Sequence, residues 1–221
     1  MENRPHPAKY SDPLLPVLSK YSYGTVLDIM GGIGKAGLLK KYNKEIAKVI
    51  INELEPEWAN QAVYYGVDEI IIGDARVLEL QVDCIVTSPP YGNRMADNFK
   101  AGSKGGKSPT SMRKRYAGDL GRTPTNGSVC CLHFDRGYQE AIIEIYDAVI
   151  TNCVFKRFIL NVSNFIRQFE VVDVVGFFEN YFKEKGFKLI VKIPVKTKRQ
   201  KGVGANTALR VDNEMVMVFD K

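Results

Sequence analysis

The chain has 221 residues, 45% of them hydrophobic and 25% charged, enough for one domain with a real core and too few for two. Those proportions are ordinary for a globular protein, so disorder is not the default, and no apolar run approaches the roughly eighteen residues of a membrane-spanning helix. The net charge is +6, and residues 92–128 carry a surplus of that size: Arg94, Lys100, Lys104, Lys107, Arg113, Lys114, Arg115 and Arg122 against Asp97 and Asp119.

The first residues, Met1 to Pro7, have no apolar core, so no secretory signal is expected, and residues 1–20 read as an N-terminal arm. Thr25 to Met30 is a short apolar run ending in glycines, and Lys35 to Tyr42 follows as a helix. Ile46 to Leu54 reads as a strand. Pro56 then opens a helix that Gly66 ends. Glu69 to Gly73 makes a third strand and Val82 to Thr87 a fourth. Periodicity disappears from 92 to 135, a Gly-, Ser-, Lys- and Arg-rich insertion too long for an ordinary connection. Helix returns at Arg136 to Ile150, with Tyr138, Ile142, Ile145 and Val149 on one face. Phe155 to Val162 is a fifth strand, Val171 to Lys185 an amphipathic helix, and Phe187 to Val195 a sixth strand. A second basic loop over 196–212 includes Lys196, Lys198, Arg199 and Lys201, and Glu214 to Asp220 closes as a seventh strand.

Strand and helix thus alternate until the last two strands. The pattern predicts a single α/β domain over 1–221, a Rossmann-like sheet of seven strands, mostly parallel, with an antiparallel strand at one edge. Cys84 and Cys153 fall in apolar runs and read as buried thiols. Cys84, Cys130, Cys131 and Cys153 show no CxxC spacing and there are two histidines, so no metal and a reducing, cytoplasmic setting are expected. Charge gathered in two loops suits a polyanionic partner contacted along one rim.

Two stretches carry chemistry. Asp28-Ile29-Met30-Gly31-Gly32-Ile33-Gly34 puts an acid at the first strand end and glycines in the turn after it. Glu53 ends the second strand and Asp74 follows the third. Gly32-x-Gly34-x-x-Gly37 also satisfies the dinucleotide fingerprint, with Glu53 placed for a ribose, so a nicotinamide oxidoreductase competes. Asp28 opposes a pyrophosphate and suits a cationic ligand. Ser88-Pro89-Pro90-Tyr91 leaves the fourth strand at the carboxyl edge, where open α/β sheets bind ligands. Its prolines hold the backbone extended and offer carbonyls without amide protons. A hydroxyl, a carbonyl and an aromatic face there suit a flat base with an exocyclic amine. A proline-stiffened strand exit with a packed Tyr is the plainer reading.

Together, the glycine turn and Thr87-Ser88-Pro89-Pro90-Tyr91-Gly92 resemble the S-adenosylmethionine-dependent DNA amino-methyltransferases, with Ile29-Met30 where that family often has Pro-Phe. The resemblance spans Thr25 to Asp220 and leaves the basic loops unassigned. It implies S-adenosyl-L-methionine as cofactor, held by Asp28, Met30, Gly31, Gly32, Gly34, Glu53, Leu54, Asp74 and Ala75, with Asp74 reading the adenine. It implies catalysis by Ser88, Pro89, Pro90 and Tyr91: Ser88 Oγ and the Pro89 carbonyl accept from the target amine, and Tyr91 stacks on the base. A first-position Ser leans toward cytosine N4 over adenine N6. The implied partner is DNA, its base flipped from the duplex or single-stranded. Arg115-Tyr116 and Asn206 are expected as base-edge readers. Methylation of an RNA base or a protein glutamine, and a catalytically silent nucleic-acid-binding subunit, are the alternatives.

Overall fold

A computed structural model describes residues 10–90, 120–167, 169–197, 211 and 213–221. Five parallel strands come first: β1 (Gly24–Asp28), β2 (Ile46–Glu53), β3 (Glu69–Ile72), β4 (Cys84–Thr87) and β5 (Arg157–Val162). A short antiparallel hairpin, β6 (Phe165–Arg167) and β7 (Glu170–Val172), stands apart from the main sheet. β8 (Lys188–Lys196) and β9 (Asn213–Asp220) complete that sheet in the order β3-β2-β1-β4-β5-β9-β8. β9 runs antiparallel to both neighbours, so the expected antiparallel pair occupies one edge, with its reversed member one place in. The strand order reverses between β1 and β4, which opens a crevice at their carboxyl ends.

Helices α1 (Leu14–Tyr21), α2 (Pro56–Ala59), α3 (Tyr138–Asn152) and α4 (Val174–Glu184) are distributed over both faces. On one face α1 and a 3₁₀ segment over Lys35–Lys41 bury Leu14, Leu15, Leu18 and Leu39 against Val26, Ile51, Val86 and Ile159. On the other, α3 and α4 close over Leu27, Ile85, Phe158 and Phe219. Phe182 is the hub of that layer, stacked on Phe219 at 4.5 Å and set 4.6 Å from Phe158. Phe182→Ala is expected to cost about 3–5 kcal/mol, read as a fall in the denaturant midpoint. Burial raises the thiols of Cys84, to about 11, and of Cys153 above the ordinary range.

Four segments differ from expectation. Within the expected N-terminal arm the chain from Leu14 onward forms α1, because Leu14, Leu15 and Leu18 give it an apolar face to bury. Lys35–Lys41 winds as 3₁₀, with Gly37 pressed so close to Tyr65 that a Cβ would meet its carbonyl oxygen at 2.4 Å. The helix expected from Pro56 to Gly66 splits into α2 and a 3₁₀ turn over Ala62–Tyr65, since Val63 and Tyr64 face solvent and no continuous apolar stripe holds it. The helix expected from Val171 starts at Val174 instead, where Asp173 accepts the Gly176 N–H at 2.9 Å and caps it. Among the described residues no helix is long and apolar enough to cross a membrane.

Candidate active site

Five polar residues stand along one edge of five consecutive strands: Glu53, Asp28, Ser88, Asn161 and Glu214, on or just after β2, β1, β4, β5 and β9. The first four each follow by two residues a member of the layer beneath α1, namely Ile51, Val26, Val86 and Ile159; Glu214 precedes Val216 by two. Strand period two therefore gives them a common face. Leu27 pairs with Ile85, which sets Ser88 two residues beyond the position opposite Asp28. At about 4.8 Å between strands and about 3.3 Å per residue, the two leave the edge about 8 Å apart.

The β1–β2 half is acidic and buried. Asp28 accepts from the Met30 N–H at 3.1 Å and the Tyr10 hydroxyl at 2.9 Å. Glu53 accepts from the Gly32 N–H at 2.7 Å and the Glu55 N–H at 3.0 Å. Loss of water outweighs those bonds and pushes each carboxyl up to about 7. For Glu53 the nearby Glu55 and Asp28 carboxylates add to the rise. Among the described residues no cation is paired with either carboxyl. That deficit fits a ligand bearing an ammonium and a sulfonium. It does not fit a pyrophosphate, because the Gly32 N–H that would cradle one is given to Glu53. Gly34 is likewise committed to packing: its φ is +81° and a Cβ would lie 2.4 Å from that of Ala62.

The remaining expected cofactor residues divide. Met30 and Leu54 are half-buried beside the turn and strand end, and Ala75 is buried at the start of a 3₁₀ turn over Ala75–Val77. Asp74, expected to read an adenine amine, is held by the Arg76 guanidinium at 2.5–3.0 Å, which keeps its carboxyl below the usual range. Gly127 lies against that pair. Arg122, counted above among the cations suited to a polyanionic partner, pairs instead with acids of the protein itself. Its guanidinium bonds Glu55 at 2.7 Å and Glu57 at 2.7 and 2.8 Å, while Thr125 donates twice to Glu55. The end of the insertion is thus clasped to the β2–α2 turn.

On the β4–β5 half, Pro89 is buried and Ser88 and Pro90 are half-exposed at the strand exit. Ser88 Oγ accepts from Asn161 Nδ2 at 3.1 Å, and the same amide donates to Glu214 Oε2 at 2.8 Å. Tyr91, Arg115, Tyr116 and Asn206 lie outside the described residues. Tyr10, Asn161 and Glu214 were missed by sequence reading. For Asn161 a signal existed: a polar side chain ending the apolar run Phe158-Ile159-Leu160.

Solved structures share this architecture. The hMettl16 catalytic domain in complex with the MAT2A 3′UTR hairpin 6 superposes with a TM-score of 0.56, covering 100% of this chain and 74% of that one at 9% identity. The fold is that of a Rossmann-like methyltransferase. Magnesium protoporphyrin IX methyltransferase from Synechocystis, which carries bound SAM, gives a TM-score of 0.51 at 9% identity, covering 95% and 76% of the two chains. The Bacillus subtilis M1A22 tRNA methyltransferase TrmK gives 0.51 at 12% identity, covering 96% and 66%. No family model matches the sequence, and no curated protein does.

Proposed function

We propose that this protein is an S-adenosylmethionine-dependent methyltransferase acting on the exocyclic amine of a DNA base, cytosine N4 before adenine N6. One observation carries the reading. Two buried carboxylates, paired with no cation among the described residues, stand beside a half-exposed hydroxyl and proline turn across the crevice where strand order reverses.

The cofactor would be held over β1 and β2, its cationic end facing Asp28 and its ribose toward the Glu53 turn. When bound it supplies a methyl on a sulfonium: the amine lone pair forms the N–C bond, the C–S pair returns to sulfur, and the nitrogen then sheds a proton to solvent. Ser88 and the Pro89 carbonyl hold the edge of the base that carries the amine, and the carbonyl, accepting from the amine, draws it out of conjugation with its ring, which aims stabilisation at the transition state. Tyr91 would stack on the base. The nicotinamide reading is disfavoured by the Glu53–Gly32 bond.

RNA is the second reading, favoured by the neighbour bound to an RNA hairpin. Labelled methyl from S-adenosylmethionine, offered with single-stranded DNA and RNA of one sequence, separates the two. Incorporation into DNA is expected. Label in RNA alone moves the substrate to RNA, and label in neither removes a nucleic-acid base as the substrate, in favour of a protein glutamine or a silent subunit.

A further inference from the structure

The Ser88 hydroxyl is held from behind. Asn161, 1% exposed, donates through Nδ2 both to Ser88 Oγ and to Glu214 Oε2, linking three consecutive strands. Its Oδ1 has no hydrogen-bond partner among the described residues, so the amide is fixed through its N–H groups. Glu214 dictates that orientation. Turning the amide over would set its oxygen against the carboxylate, two acceptors face to face. Asn161 is therefore the donor to Ser88, and the Ser88 proton is directed away from it. A hydroxyl that accepts from an amide also becomes a stronger donor.

We propose that Asn161, oriented by Glu214, is a positioning residue that makes Ser88 a hydrogen-bond donor toward the ligand. Ser88 and the Pro89 carbonyl then read a ring-nitrogen acceptor next to an exocyclic amine. This rests on the amino-methyltransferase reading above, and reverses the sense expected of Ser88 from the sequence. Cytosine presents that edge through N3 and N4, adenine through N1 and N6. On its Watson–Crick edge guanine sets a ring N–H where Ser88 would donate, its N3 acceptor lying on the sugar side of the amine, and uracil and thymine carry no amine. The Asn161–Glu214 pair thus defines the substrate class of the site without touching the base.

The test is single-turnover methyl transfer by the full chain to oligonucleotides carrying cytosine or 3-deazacytosine, and adenine or 1-deazaadenine, at one position. The deaza bases keep the amine and lack the ring acceptor. Wild type is expected to favour the natural base about tenfold or more, the worth of one hydrogen bond in a closed site. Asn161→Asp, which puts an acceptor behind Ser88, and Glu214→Ala, which frees the amide to turn over, are each expected to bring that ratio within about twofold. Comparing ratios between proteins cancels the intrinsic reactivity of the bases, and two variants guard against one failing to fold. Glu214→Gln, whose amide oxygen still accepts from Asn161, is expected to keep the ratio even where its rate falls. An unchanged ratio in the folded variants overturns the inference and leaves the methyltransferase reading standing. No transfer by wild type to any base overturns both.

Discussion

Ser88→Ala is expected to lower turnover about a hundredfold while S-adenosylmethionine affinity stays within about twofold. The side chain lies on the β4–β5 half of the crevice, bonded to Asn161, whereas the buried carboxylates proposed for the cofactor stand on β1 and β2. Removing Oγ leaves that acidic wall intact and releases the base from one of its two fixed contacts. A small misplacement of the reacting nitrogen is enough for a loss of that size. Calorimetric titration with S-adenosylmethionine and single-turnover rates on one preparation separate the two effects. Wild-type turnover in Ser88→Ala would remove Ser88 from the reaction.

The affinity for S-adenosylmethionine is expected to fall as pH drops through about 7. Asp28 and Glu53 are both raised to about 7 by burial, so each is largely protonated below that pH and ionised above it. A cation binds the ionised pair, so binding releases protons. Affinity then declines by up to about tenfold per pH unit for each carboxyl that must ionise. Stability of the ligand-free protein runs the other way. A carboxyl raised above its unfolded value favours the folded state fully below the ordinary range near 4, and that contribution is lost as pH rises through about 7. Asp28→Asn is expected to weaken binding at least about tenfold at alkaline pH and to flatten the profile. S-adenosylhomocysteine, which lacks the sulfonium charge, is expected to show a shallower slope. Titrations from about pH 5.5 to about pH 8.5 read both; an affinity independent of pH would contradict a cation beside these acids.

Much of this was legible because strand-end chemistry follows from local pattern. The apolar runs ending at Asp28, Glu53 and Ser88 fixed where those residues leave the sheet, and the helical face of Tyr138, Ile142, Ile145 and Val149 is buried as its spacing requires. What could not be read depends on contacts distant in the chain. The Tyr10–Asp28 bond spans 18 residues and needs the N-terminal segment to fold back across β1. Arg122 looked like one cation among many, and its pairing with Glu55 and Glu57 crosses more than 60 residues. Asn161 and Glu214 matter through strand adjacency, set by inserting β9 beside β5.

The most direct measurement is the identity of the nucleoside that carries label after wild-type protein, S-adenosylmethionine and DNA are incubated and the DNA is digested. The expected product is N4-methylcytosine, or N6-methyladenine if the larger base is the target. A methyl on a ring carbon, a ring nitrogen or a sugar oxygen, or no labelled nucleoside at all, would contradict an edge built around an exocyclic amine.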